Sequence, residues 1–193
     1  MAFETWKRAQ NLQVVSLEEG AIVGKLDDFQ FDLETRRIYG WRLKGHGVFA
    51  KAGGVRAADL VLVGRDVALV RAESCVEWAD ARPNVVDGRA WASAYRGTQA
   101  ITRRGASLGA VQDFVVDRAG NEVTGFILPG DRLLPLDDGV NTGPAAVIVE
   151  DPERLLTLPP ADEDRGEWWG RLKSALGVKE QRRDEPGEPS GEE

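Results

Sequence analysis

Short apolar runs, broken every few positions by Gly, Asp or Asn, fill the first 150 residues of the chain. Runs of this kind predict strands, and the breaks predict turns. Leu12–Leu17 (LQVVSL) is β-branched and apolar and stops at Glu18-Glu19-Gly20, a strand and a tight turn. Ile22–Phe31 is the next strand, with Gly24 marking a bulge, a bend or a close backbone approach. Leu26 differs in parity from Phe29 and Phe31, so all three reach one core only if a residue bulges near Asp27-Asp28. Asp32–Arg36 predicts a reversal opened by an Asp carboxylate that accepts backbone N–H groups. It leads into Ile38–Leu43, where Tyr39, Trp41 and Leu43 share a face. Val48–Ala50 and Val55–Ala57 follow as short strands about a Gly53-Gly54 turn. Asp59–Val63 and Val67–Val70 are strands about Gly64-Arg65-Asp66.

The pattern then repeats. With Gly105 laid on Gly20, the residues Ala21, Gly24, Asp28, Phe29, Asp32, Gly40 and Leu43 fall on Ala106, Gly109, Asp113, Phe114, Asp117, Gly125 and Leu128 without a gap. The same shift lays Trp6 and Ala9 on Trp91 and Ala94, which predicts a tryptophan plugging the core at the start of each repeat. The parity break recurs between Val111 and Phe114/Val116, and Asp117–Asn121 supplies the second reversal. Leu133–Leu136 is extended, with Pro135 restricting it to an edge or a very short strand, and Ala145–Val149 closes the unit. Ala72–Asn84 reads as a linker with one helical turn ended by Pro83. Dense short strands with Gly- and Asp-rich turns predict an all-β chain of small barrels or sandwiches, as two small domains or as two halves of one compact unit.

Composition narrows the function more than the fold. A formal charge of −7 over 193 residues disfavours broad nucleic-acid binding, which needs clustered Lys and Arg. Cys75 is the single cysteine, flanked by Glu73 and Glu77, which gives a thiolate nucleophile no support. His46 is the single histidine and sits between two glycines, so a Ser-His-Asp or Cys-His arrangement has only a solvent-facing loop residue to draw on. Asp28/Asp32 and Asp113/Asp117 are spaced like ligand pairs, but no His or Cys completes a shell, and they read as bulge and turn carboxylates. No P-loop, G-x-S-x-G or H-E-x-x-H motif occurs, so no catalytic, cofactor-binding or metal-binding residue is expected. No apolar run approaches the roughly 20 residues of a membrane span, and a cytoplasmic protein is expected.

These motifs together (G-x-x-x-G-x-x-x-D-hydrophobic-x-x-D, a turn, hydrophobic-x-G-hydrophobic, then a Leu-Pro-Leu-like strand) make the chain resemble the PRC-barrel family. That family includes the cytoplasmic domain of the photosynthetic reaction-centre H subunit and the C-terminal domain of a ribosome-maturation factor. The resemblance covers about residues 10–72 and 95–150 and implies two small, highly bent PRC-type β-barrels in tandem. It also implies assembly and partner contacts without chemistry, and it carries no catalytic residues. The chain differs from both relatives in having two such units.

Beyond Pro159-Pro160 the composition shifts to an acidic linker, then Glu167–Gly177, then a charged stretch that reads as disordered. Trp168, Leu172 and Leu176 recur every four residues with Trp169 and Ala175 flanking, the stripe of an amphipathic helix closed by Gly177. A helix this short is marginal alone, so Trp168, Trp169, Leu172 and Leu176 are candidate docking residues. The barrels, a partner groove and the membrane interface are all open as the surface they meet. The chain thus divides into repeat 1 over 3–72, a linker over 73–87, repeat 2 over 88–158, an acidic linker over 159–166, the helix over 167–177 and a tail over 178–193. The expected function is a non-catalytic interaction or scaffold protein with a protein partner, working in reaction-centre-like complexes or at a membrane surface reached through 167–177. A ribosome- or RNA-maturation factor is the alternative, and an enzyme or small-molecule binder at the barrel mouth or the seam between repeats is the third reading.

Overall fold

The two bulges demanded by side-chain parity set the shape of the molecule. A computed structural model describes residues 3–45, 52–78, 85–86, 88–117 and 121–158. The first half runs β1 (Phe3–Thr5), α1 (Trp6–Ala9), β2 (Gln13–Ser16), β3 (Ile22–Asp32), β4 (Ile38–Lys44), β5 (Ala52–Arg56), β6 (Leu60–Val63), β7 (Val67–Val70) and β8 (Glu77–Trp78). After β9 (Val85–Val86) the order returns as β10 (Arg89–Trp91), α2 (Ala92–Tyr95), β11 (Gln99–Thr102), β12 (Ser107–Ala110), β13 (Asp113–Asp117), β14 (Glu122–Leu128), β15 (Arg132–Pro135), β16 (Val140–Thr142), β17 (Ala146–Val149) and β18 (Leu156–Thr157). The repeat therefore extends well beyond the stretch of sequence identity.

In β3 the ladder to β4 pairs Leu26 with Leu43 and then Asp28 with Arg42, leaving Asp27 as the extra residue. Leu26, Phe29 and Phe31 all reach the core. In the second copy the same bend is sharper and splits the strand into β12 and β13. Gly24 sits at the bend with φ +155°, and a Cβ there would lie 2.5 Å from the Lys44 carbonyl oxygen. Its counterpart Gly109, at φ +103°, would place a Cβ 2.7 Å from the Pro129 ring. Glycine at these two positions is what lets the strand fold over its neighbour.

Each repeat is built from two sheets that meet at this bend. One has four strands, β6-β7-β2-β3 in the first repeat and β16-β17-β11-β12 in the second, with the parallel pairs β2–β7 and β11–β17 at the centre. The other has five strands, the fifth of which comes from the opposite repeat. β10 pairs with β3 to give β10-β3-β4-β5-β8, with β9 added beyond β10 as a sixth, and β1 pairs with β13 to give β1-β13-β14-β15-β18. The two reversals also meet, with the Ile38 N–H donating to Asn121 O at 2.7 Å and the Val123 N–H to Arg36 O at 2.9 Å.

Four expectations change. The chain is all-β, but among the described residues the ladders form open sheets and no closed barrel. Where closure would have been expected, the aromatic residues of both repeats share one core, with Phe29 against Phe114 and Phe31 against Tyr95 at ring separations of 5.5 Å. Gly53-Gly54 is no turn but lies inside β5, paired with Leu43 and Arg42 in an unbroken ladder to β4. Trp91 is not a core plug. The two short helices align one residue later than the repeat, so Trp6 is matched by Ala92 and Ala9 by Tyr95. Trp6 and Tyr95, 1% and 0% exposed, fill the core from opposite ends of their helices, while Trp91 becomes a half-buried residue on an outer face. Tyr39 leaves the Trp41/Leu43 face, because a second bulge pairs Gln30 with Gly40 and Phe31 with Ile38 and turns it outward.

His46, Val48–Ala50, the acidic linker, the 167–177 segment and the tail lie outside the described residues. Among the described residues no helix is long and apolar enough to cross a membrane.

Candidate docking surfaces

Four carboxylates of the bent strands, Asp28, Asp32, Asp113 and Asp117, have the spacing of ligand pairs. Asp28 and Asp113 occupy equivalent positions just after the bends, and each caps the short helix of the opposite arm. Asp113 accepts from the Lys7 N–H with both oxygens, at 3.1 and 3.2 Å. Asp28 accepts from the Ser93 N–H at 3.1 Å and from the Ser93 hydroxyl. Burial raises both carboxyls above the ordinary carboxylate value, against the lowering effect of the backbone and Ser93 donors and of Arg42 or Arg96 nearby. Asp32 behaves as the turn carboxylate expected, accepting from Glu34 and Thr35, and is lowered chiefly by the Thr35 N–H. Asp117, also buried, ends β13. Among the described residues neither Asp28 nor Asp113 has an imidazole among its partners, and the Ser93 hydroxyl beside Asp28 is engaged as a donor to it. Among the described residues no group of three or more His, Cys, Asp or Glu is placed to hold a metal.

The outer faces of the five-stranded sheets are where the two repeats diverge. Across the first repeat one outward row runs Trp91, Gln30, Gly40, Arg56, and the next runs Asp28, Arg42, Gly54, Glu77. The Arg42 guanidinium is held by Asp27 at 2.6 Å and lies 3.6 Å from Asp28, with its face 5.3 Å from the Trp91 ring centroid. Arg89 lies 3.9 Å over the Tyr39 ring, which is 43% exposed. Both Trp91 and Arg89 arrive from the second repeat on β10, so this surface exists only because the arms exchange. Gly40, Gly53 and Gly54 form a floor without side chains, and Tyr39, Trp91, Cys75 and Glu77 rise around it in a mostly apolar groove of about 240 Å³.

The same rows in the second repeat read Thr5, Val115, Gly125, Pro135 and then Asp113, Ile127, Leu133, Leu156. Val115, Ile127 and Leu133 form a separate small hydrophobic cluster with Leu156 and Leu158. One architecture thus carries a mixed aromatic–guanidinium face and an aliphatic face.

A larger and more polar cleft of about 780 Å³ lies between the Asp32–Arg36 reversal and the β16–β17 hairpin. Its chemistry is spent on holding the repeats together. Arg36 donates to the carbonyls of Leu136, Asp137 and Val140, and Thr142 donates to Leu33 O, while Arg103 on the same wall pairs with Glu150 at 2.5 Å within the second repeat. Asn121, the counterpart of Arg36, donates to Ala57 O at 3.3 Å across the same seam.

The expected docking residues Trp168, Trp169, Leu172 and Leu176 lie outside the described residues. The groove residues Tyr39, Arg42 and Trp91 were not singled out by the sequence as a surface. A signal for them existed, because the repeat sets Arg42 against Ile127 and Gln30 against Val115, polar against aliphatic at equivalent strand positions.

Residues 92–156 match the family model of the PRC-barrel domain. The match runs from α2 to β18 and so covers the second repeat without its exchanged strand. It does not extend to the first repeat. The PRC-barrel is a non-catalytic domain family of protein-interaction and assembly modules. No curated protein matches the chain.

Proposed function

We propose that this chain, whose second repeat is a PRC-barrel domain, is a non-catalytic interaction and scaffold protein that presents the outer face of its first repeat to a protein partner. The observation that carries this reading is the glycine-floored groove walled by Tyr39 and Trp91. Protein interfaces concentrate their energy in Trp, Tyr and Arg side chains, and here both rings are stacked by guanidinium groups that order them before any partner arrives. The groove is smaller than the roughly 300–1,000 Å³ of small-molecule sites. It suits one or two side chains of a partner. Glu77 lies 3.8 Å from Arg56 on the same face, so its charges answer one another and no basic strip is offered to a phosphate backbone. A membrane-surface setting is the competing version of this reading, and it requires 167–177 to be free to reach lipid.

The test is affinity capture with the full chain, comparing wild type with Tyr39→Ala/Trp91→Ala and with a control, Val61→Ala, on a different exposed strand. A stoichiometric partner lost in the double variant and kept by the control, with unchanged thermal midpoints, is expected. Equal recovery by all three proteins would remove this face as the docking surface.

A further inference from the structure

We propose that residues 167–177 of this chain dock in cis on the outer face of the β1-β13-β14-β15-β18 sheet, laying Trp168, Leu172 and Leu176 over Val115, Ile127 and Leu133. The inference is independent of the groove on the first repeat.

The face itself is the first ground. A two-layer arrangement already buries the inner side of this sheet, where Phe114, Val116, Phe126 and Leu134 belong to the shared core. Val115, Ile127 and Leu133 point to the opposite side, yet they are 0%, 6% and 1% exposed. The hydrophobic partners described beside them are Leu156 and Leu158, both only partly buried. Two leucines at one edge of a sheet do not cover a patch that extends across β13, β14 and β15. A further apolar element belongs on it.

The direction of the chain is the second ground. β18 pairs Leu156 with Leu133, and the Leu158 N–H donates to Asp131 O at 2.8 Å, so the chain leaves the described region along the rim of this sheet. Residues 159–166 follow, eight residues that extend to about 26 Å at most. The apolar stripe begins directly after them. An 11-residue helix is about 16 Å long, and five strands are about 19 Å across. Reach and size both fit.

The third ground is the alternative face, which is wrong for it. The equivalent positions on the first repeat are Gln30, Arg42, Gly54 and Glu77, and covering an ion-paired Arg42 and an exposed Glu77 with Trp and Leu would strip water from charges without replacing it. The aliphatic substitutions in the second repeat thus select which of two like-shaped faces receives the segment. Docking would leave the first repeat's groove open while closing the second repeat's face.

The test uses the full chain with methyl-labelled Val, Leu and Ile, compared with Trp168→Ala/Leu172→Ala. Methyl signals of Val115, Ile127, Leu133 and Leu156 are expected to move while those of Val116 and Leu128 on the inner face stay in place. In parallel, amides of 167–177 should exchange at least tenfold more slowly than unstructured ones, and Ile127→Lys should abolish that protection. Unmoved outer-face signals together with unprotected amides would overturn the proposal. So would shifts that fade on dilution, which would make the occupant a second copy of the chain. Shifts that arise only when anionic phospholipid vesicles are added would overturn it in favour of a lipid surface. Because both the tail variant and the sheet variant are read, loss of fold in one does not decide the outcome.

Discussion

Asp28 and Asp113 illustrate how a buried carboxylate can serve geometry instead of chemistry. Each follows directly on the bend of its strand, each caps the helix of the opposite arm, and in each burial is the largest influence on protonation. The sign follows directly. A carboxyl raised in the folded state binds its proton more tightly folded than unfolded, so it contributes most when protonated and that contribution falls as pH rises through the raised value. Asp28→Asn keeps an acceptor for the Phe29 and Ser93 N–H groups but cannot titrate. Between neutral pH and the ordinary carboxylate range, wild type should gain stability relative to Asp28→Asn as pH is lowered. Urea midpoints of the two proteins across that window measure it; parallel curves would mean that Asp28 does not titrate differently on folding. Asp32, lowered by its turn donors, acts in the opposite direction below the ordinary range, which is why the comparison must be with the variant and not with an absolute optimum.

Among the elements, the bent strand is the most demanding piece of the fold. Gly24→Ala would drive a methyl to 2.5 Å from a backbone oxygen at a φ that side chains rarely adopt. A loss of about 1–3 kcal/mol or more is expected from denaturant unfolding. Gly54→Ala, whose Cβ would find its nearest neighbour at 3.9 Å, should stay within about 0.5–1 kcal/mol of wild type while occupying the groove floor. If the two variants cost the same, the close approach at the bend is not what fixes glycine there. Much of this was legible in the sequence. The parity of Leu26 against Phe29 and Phe31 required a bulge, and Asp32 announced the turn, because local patterns encode local backbone. What was not legible depends on which repeat an element serves. Nothing in the string Arg89-Ala90-Trp91 says that it will pair with β3 in the register of Ala90 with Phe31, 59 residues earlier, nor that a one-residue offset moves the core aromatic from the start of one helix to the end of the other. The docking groove inherits that ignorance, since Trp91 and Arg89 reach it only through the exchange.

At the scale of the molecule, the exchange decides how the repeats depend on each other. Each repeat's five-stranded sheet is completed by the other's arm, the reversals hydrogen-bond to one another, and Phe29, Phe31, Tyr95, Phe114 and Phe126 form one continuous aromatic cluster. Dividing the chain between β8 and β9 would remove the exchanged strand from each half's sheet and expose rings that now bury each other, in units of a size that already buries little surface. The intact chain is therefore expected to unfold in a single cooperative transition by calorimetry. Fragments 1–84 and 85–193, expressed separately, should lack a cooperative transition on their own, and mixing them should restore the β-sheet circular dichroism and a one-to-one complex in size-exclusion chromatography. Two independent transitions in the intact chain, each reproduced by its isolated fragment, would mean that arm exchange adds nothing to stability and that the repeats are self-sufficient domains. Under the expected result, the mixed aromatic face is held rigid for a partner by the same exchange that builds the aliphatic face on which the 167–177 segment is proposed to lie.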